Sequence, residues 1–353
     1  MIRKLNITIR FVFFLWCILR CAACQKERIT INSSASEAFY VANDGASMRV
    51  LVQGNTAGNT FILVIHGGPG ISSYFYNTRY ISQNLGDKYA MVYWDQRNAG
   101  ASQGNANGRN LNLDQMVEDL TKVITVLKFR YGKDMSLFLL GHSFGGLIAA
   151  DFITRPGNQE MVRGLINADG SHNYPLNDTL TRQMLLSFGK DQISKRRNVD
   201  DWETIVSYCN THTGNFNLEE SQQLEKYATE AEGLIDSVKK INIPSLLLKY
   251  SIADKYPLTA ILSNLLYSED SDFNKELASA QFSSALKTVT IPVLLLWGKY
   301  DFTCPPALGE DFYNHISSAE KRIVISPSSG HNIMLQDERL FCDEVNSFVL
   351  KYR

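Results

Sequence analysis

Short apolar runs separated by glycine-rich turns set the pattern of this chain. Two stretches rich in β-formers, residues 38–42 and 48–52, flank Asn43-Asp44-Gly45, and an Asp-Gly turn between such runs predicts a hairpin. Next come residues 61–65 ahead of His66-Gly67-Gly68-Pro69-Gly70, residues 90–94 ahead of Asp95-Gln96-Arg97, and residues 137–140 ahead of Gly141-His142-Ser143. Continuous apolar runs of this length suit strands of a parallel sheet covered on both faces. Between them the period changes: Leu113, Met116, Val117, Leu120, Val123, Ile124 and Leu127 recur at helical spacing, and Asn112 with Gln115 three residues on reads as a capping box. A further strand at 164–167 ends at Ala168-Asp169-Gly170.

From about residue 171 to 287 the strand signal fades and the sequence turns helical, polar and rich in tyrosine. The sheet then resumes at 293–297 and 323–325, and Leu340, Phe341, Val345, Phe348 and Val349 mark a closing amphipathic helix from about Glu338. The expected organisation is an α/β core in two parts, 24–170 and 288–353, with a helical cap inserted at 171–287. Strand, turn and helix in alternation predict a mostly parallel sheet with helices on both faces.

Residues 1–23 stand apart. Arg3, Lys4 and Arg10 precede an apolar run from Phe11 to Leu19, followed by Ala22 and Ala23, which is the layout of a secretory leader. The run is shorter than the ~20 apolar residues that span a bilayer. Cys24, after Ala22-Ala23, resembles the lipidated first residue of mature bacterial lipoproteins, which implies an exported protein held on a membrane of the envelope through Cys24. Cys21 and Arg20 depart from that signal and leave ordinary cleavage and release, to the periplasm or the medium, open.

Composition narrows the partners. Of 353 residues, 44% are hydrophobic and 20% charged, which is ordinary for a globular chain with a large core. The 35 Lys and Arg against 36 Asp and Glu leave a net charge of -1, so no field steers the chain to nucleic acid. Small peptide or acyl substrates fit better. Cys209, Cys304 and Cys342 are widely spaced, and with no Cys-x-x-Cys or paired histidines they read as packing residues rather than disulfides or metal ligands; no cofactor is expected.

The chemistry gathers at Gly141-His142-Ser143-Phe144-Gly145, a G-x-S-x-G placed between an apolar strand and a helical stretch at 147–154. That context predicts a nucleophile elbow, with Gly141, Gly145 and Gly146 giving clearance and the helix N-terminus offering N–H groups to an oxyanion. A serine hydroxyl needs a base oriented by a buried acid. Asp301, just past the strand at 293–297, and His331, on the loop after the last strand, supply them in order. Asp254, after the strand-like Ile243-Pro244-Ser245-Leu246-Leu247-Leu248, is a rival acid, but it would leave two crossover units before the histidine. The glycine-rich turn at 66–70 offers a second oxyanion donor, assigned to Gly68 alongside Phe144. His142 adjoins the nucleophile but points elsewhere, so it is not the base.

With these residues in hand the chain resembles the proline iminopeptidase (prolyl aminopeptidase) family of α/β-hydrolases. The resemblance rests on His66-Gly67-Gly68-Pro69-Gly70, Asp95-Gln96-Arg97 through Gly100 to Ser102, Gly141 to Gly146, and Gly298-Lys299-Tyr300-Asp301 through Cys304-Pro305. It implies Ser143 as nucleophile, His331 as base, Asp301 as its orienter, and Gly68 and Phe144 in the oxyanion hole. Members remove an N-terminal residue, often proline, and carboxylates on or near the cap bind the free amine. Candidates here are Glu219, Glu220, Glu225, Glu230 and Glu232, with Tyr74, Phe75 and Tyr76 as walls of a proline pocket or, equally, as core. Three positions depart: Asn98 stands where Gly is usual, Gln336 where a Glu often follows the histidine, and Phe302 where one branch carries an amine-binding Glu. The leading reading is an exported aminopeptidase. An esterase or lactonase with the same triad is the alternative, and a non-catalytic binding protein is a third that fold alone does not exclude.

Overall fold

The structure is a computed structural model that describes residues 34–104, 110–242 and 271–353. The leader, Cys24 and the rival acid Asp254 lie outside the described residues.

The chain enters as a hairpin, β1 (Ser34–Asn43) and β2 (Ala46–Asn55), paired antiparallel in a register that sets Asn43 opposite Ala46. Asp44 and Gly45 between them have φ of 37° and 77°, the left-handed pair that a two-residue hairpin turn needs. β3 (Thr60–Ile65), β4 (Ala90–Trp94) and the two-residue β5 (Gln103–Gly104) follow, then α1 (Leu113–Tyr131), β6 (Ser136–His142), α2 (Phe144–Thr154) and β7 (Gly164–Ala168). The sheet order is β1-β2-β4-β3-β6-β7-β8-β9, with β5 beside β2. From β4 to β9 every neighbouring pair is parallel. The fold class expected from the alternating strand and helix signals is therefore the one observed.

Burial on both faces explains why the central strands read as unbroken apolar runs. Phe61, Leu63 and Ile65 of β3 pack with Met116, Leu120 and Leu147 of α1 and α2, whereas Ile62 and Val64 pack on the opposite side.

After β7 come α3 (Tyr174–Ser194), α4 (Val199–Thr211) and α5 (Leu218–Gly233), and, beyond residues 243–270, α6 (Ser271–Ser279). Helices α3 to α5 pack around Leu185, Trp202, Ile205, Leu224 and Ala228, in a cluster separate from the two that cover the sheet. The core resumes with β8 (Val293–Gly298), α7 (Pro306–His315), β9 (Lys321–Ser326) and α8 (Glu338–Tyr352). The two ends of the helical insertion meet: Phe282 N–H donates to His172 O at 2.8 Å, and both His172 Nε2 and Ser283 Oγ bond the Asp311 carboxylate of α7.

Phe302, next to Asp301, is fully buried in the core of the insertion, with ring centroids 5.3 Å from Phe188 and 6.1 Å from Trp202. Apolar contact from Phe188 and Trp202 is what this position requires.

Candidate active site

Three side chains arrive from three loops at the carboxyl ends of the strands, where ligands bind in open α/β sheets. Ser143 sits between β6 and α2 with φ 53° and ψ −123°, a conformation that costs a non-glycine residue about 1–3 kcal/mol. Its neighbours make room: a Cβ on Gly141 would stand 2.7 Å from the Gly145 carbonyl oxygen, and one on Gly145 would drive into the Ile65 carbonyl. Ser143 Oγ lies 2.9 Å from His331 Nε2, and His331 Nδ1 lies 3.0 and 3.1 Å from the two oxygens of Asp301. Asp301 is fully buried, and its Oδ1 also accepts the N–H groups of Thr303 and Cys304 at 2.9 and 2.8 Å. This seat holds the imidazole with Nδ1 as donor and leaves Nε2 facing Ser143 Oγ, the geometry in which it can accept the serine proton.

A second carboxylate lies beside this pair. Asp169, at the end of β7, accepts Gly298 N–H at 2.8 Å and Ile333 N–H at 2.9 Å, tying the acid loop to the base loop. Burial and the neighbouring Asp301 charge push its carboxyl well above the usual range. Burial alone would lower the His331 imidazole, but the bonded Asp301 carboxylate, together with Asp169 and Glu232, raises it to about 9.

This shift sets a pH dependence. With His331 as the base, which must be neutral to act, kcat/KM is expected to rise with pH through an acid limb near 9 in the free enzyme. Stability runs the other way. A folded-state value above the unfolded ~6.5 adds stability that is complete below ~6.5 and is lost as pH rises through about 9. A pH–rate profile beside thermal melts checks both, and an acid limb at or below 6.5 contradicts the assignment.

The glycine-rich turn lies against the nucleophile: a Cβ on Gly67 would be 3.0 Å from Ser143 Cβ. His66 Nε2 accepts Gln96 N–H at 3.1 Å, so Nδ1–H is the donor to Gly67 O at 2.7 Å. A trans peptide carries its C=O and the next N–H on opposite sides, so this bond aims Gly68 N–H away from His66. Phe144 N–H is the first of α2 and has no carbonyl inside the helix to meet. Asp95-Gln96-Arg97 supports the same turn: Gln96 Nε2 donates to His66 O, and Asp95 Oδ1 accepts from Ser72 Oγ and from Ser73 N–H and Oγ. Asn98 takes the left-handed φ of 55° that Gly often fills there.

His142, adjacent to the nucleophile, makes a link that the sequence does not announce. Gly67 N–H donates to Tyr76 Oη at 3.1 Å, Tyr76 Oη–H donates to His142 Nδ1 at 2.7 Å, and His142 Nε2–H donates to His331 O at 2.7 Å. Burial, then the neighbouring His331, lowers His142 to about 3, which keeps it neutral and able to do both.

The candidate substrate residues separate sharply. Ser143 opens on a crevice lined by Gly68, Tyr174, Asp178, Glu225 and Cys304. Of the five glutamates only Glu225 lines it. Glu220 is spent in a capping box with Asn217, Glu219 and Glu230 are exposed, and Glu232 bonds the His331 backbone N–H. Tyr74 and Phe75 do not wall the crevice. They lie 7% and 8% exposed in the short turn Ser73–Tyr76, because the Asp95 bonds to Ser72 and Ser73 turn that segment inward, with Tyr74 against Tyr93 at 5.9 Å. Asp178, which sequence reasoning missed, faces the crevice from α3 and accepts Ser221 Oγ at 2.9 Å. Burial raises its carboxyl to about 6, and desolvation also raises that of Glu225, which lines the crevice while its side chain still meets solvent.

The model of the alpha/beta hydrolase fold family matches residues 60–338, most of the chain. The chain belongs to that family. Among its relatives is the Probable aminopeptidase YbaC of Bacillus subtilis (strain 168), 20% identical over 313 residues, covering 84% of this chain and 91% of the relative. The proline iminopeptidase of Mycobacterium smegmatis superposes with a TM-score of 0.61 at 17% identity, over 90% of this chain and 98% of its own. An esterase from Exiguobacterium antarcticum superposes at 0.58 and 20% identity, over 89% and 99%. At these identities the two structures speak for the fold alone.

Proposed function

We propose that this hydrolase is a serine aminopeptidase that releases N-terminal residues, proline among them, from short peptides through an acyl-enzyme at Ser143. One observation carries the reading: Glu225 and Asp178 face the crevice beside Ser143, and among the described residues neither has a Lys or Arg partner. Two carboxylates that face one crevice without a cation repel each other, and a substrate ammonium would offset that repulsion. The aminopeptidase and iminopeptidase names among the relatives agree with it.

In this mechanism Ser143 Oγ attacks the acyl carbon while its proton passes to His331 Nε2, whose imidazolium Asp301 stabilises. The oxyanion meets the N–H groups of Phe144 and Gly68. His331 then hands the proton to the departing amine, and water repeats the sequence to free the acyl group.

Phe302 favours a second reading, an esterase or lactonase, because an apolar ring replaces one route to amine binding. Turnover of a fluorogenic proline amide, its N-acetyl form and a short-chain ester by the leaderless protein separates the two. Acetylation removes the charge that the carboxylates would meet, so kcat/KM for the amide should fall by about 10⁴. Cleavage of the ester alone overturns the aminopeptidase reading.

A further inference from the structure

Glu232 lies two turns beyond Glu225 on α5, yet its carboxylate leaves the crevice and enters the loop that carries His331. Its Oε2 accepts His331 N–H at 2.7 Å, and its Oε1 accepts Gln336 Nε2 at 2.8 Å. Gln336 Oε1 in turn accepts the N–H groups of Gly330 and Asn332 at 2.8 and 3.3 Å. Three successive backbone donors around the histidine thus end in one carboxylate–amide pair. Gly330 leaves room for it, since a Cβ there would drive into the Glu232 carboxyl carbon. Lys240 Nζ holds the carbonyls of Glu232 and Gly233 at 3.2 and 2.7 Å, which closes the end of α5 at this point.

From this geometry we infer that Glu232 is a positioning residue, through which the helical insertion holds the His331 backbone and sets the reach of the imidazole to Ser143. The inference rests on His331 acting as the base in the proposed function. Both carboxylate oxygens already bond the His331 loop and Glu232 is not among the residues lining the crevice, whereas Glu225, on the same face, lines it and is the one placed to meet a substrate amine.

The charged and titratable groups around the imidazole come from every side: Asp301 after β8, Asp169 after β7, His142 at the elbow, and Glu225 and Glu232 on α5. Around Glu232 the nearby cations are Lys239, whose Nζ donates to Leu335 O at 2.8 Å, and Lys240, on main-chain carbonyls. Removing the Glu232 charge therefore takes a negative neighbour from the imidazolium and lowers the pH at which the base becomes neutral.

The test uses the leaderless protein with Glu232→Gln and Glu232→Ala, followed by three readouts: a proline anilide, p-nitrophenyl acetate, and the rate of Ser143 phosphonylation by a fluorophosphonate. The last two need no amine pocket, so they report on Glu232 even if the aminopeptidase reading fails. Glu232→Ala should lower kcat on each active substrate, and the phosphonylation rate, by about 10- to 100-fold with KM unchanged, the scale expected when a catalytic group shifts by about 1 Å. Glu232→Gln keeps an acceptor for His331 N–H and should recover most of that loss at high pH, with the acid limb displaced to lower pH. Should the alanine protein fail to fold, the near-isosteric glutamine protein still carries the pH readout. A KM increase confined to the anilide would make Glu232 an amine ligand and overturn the inference. So would phosphonylation rates within twofold of the parent and an unmoved acid limb.

Discussion

Ser143→Ala removes turnover by about 10⁶-fold and leaves the fold intact. The size follows from the arrangement: without Oγ no acyl-enzyme forms, and what remains is whatever the two oxyanion donors and the crevice do for a direct attack by water. The fold survives because alanine retains the Cβ, so the backbone at φ 53° is no more strained than before, and the bond to His331 at 2.9 Å is lost at the crevice rather than in the core. Removing the hydroxyl also removes one of the two bonds that orient the imidazole, without touching its hold on Asp301. Turnover of any accepted substrate, compared with far-ultraviolet circular dichroism and the melting temperature, checks both halves. Activity within tenfold of the parent would remove Ser143 from the chemistry.

Asp301→Asn lowers kcat by about 10⁴-fold. Asp301 Oδ1 already accepts two backbone N–H groups, so an asparagine keeps its carbonyl there and turns its NH₂ toward His331. The imidazole answers by moving its proton to Nε2, and a protonated Nε2 no longer accepts from Ser143. Asp169 is not expected to rescue the variant, since its oxygens bond the Gly298 and Ile333 N–H groups and it is Asp301 that lies within hydrogen-bond distance of His331 Nδ1. The measurement is kcat for the variant over a pH range. A loss below tenfold would show that Asp169 substitutes as the orienting acid.

Much of this was legible beforehand, for physical reasons that differ from place to place. Strands buried on both faces leave few polar positions, so β3, β4, β6 and β8 announce themselves as apolar runs ahead of their loops. The elbow is legible because its turn tolerates no side chain at Gly141 or Gly145. The insertion is less transparent. Its helices divide their polar residues between solvent, crevice and core loops, and helical spacing alone cannot say which neighbour each will meet. Glu225 and Glu232 share a face seven residues apart while Glu219, Glu220 and Glu230 point elsewhere, and that spacing was the available signal. Asp178 had none, because its meaning depends on Ser221 from another helix. Tyr74 and Phe75 illustrate the opposite limit: an aromatic run reads alike as pocket wall or core until the Asp95 bonds fix which way the turn faces.

Phe302 carries a consequence for modularity. The hydrophobic centre of the inserted helices is completed by a residue of the catalytic-acid loop, one position from Asp301. The insertion is therefore not an interchangeable part. A set of helices grafted from a relative with a glutamate at this position would meet a phenyl ring where its own packing expects a charge. The parent helices, moved onto that relative, would be left with a ring-sized hole between Phe188 and Trp202. The packing of the inserted helices and the seat of Asp301 are thereby inherited together, and re-engineering either starts with the residue that joins them.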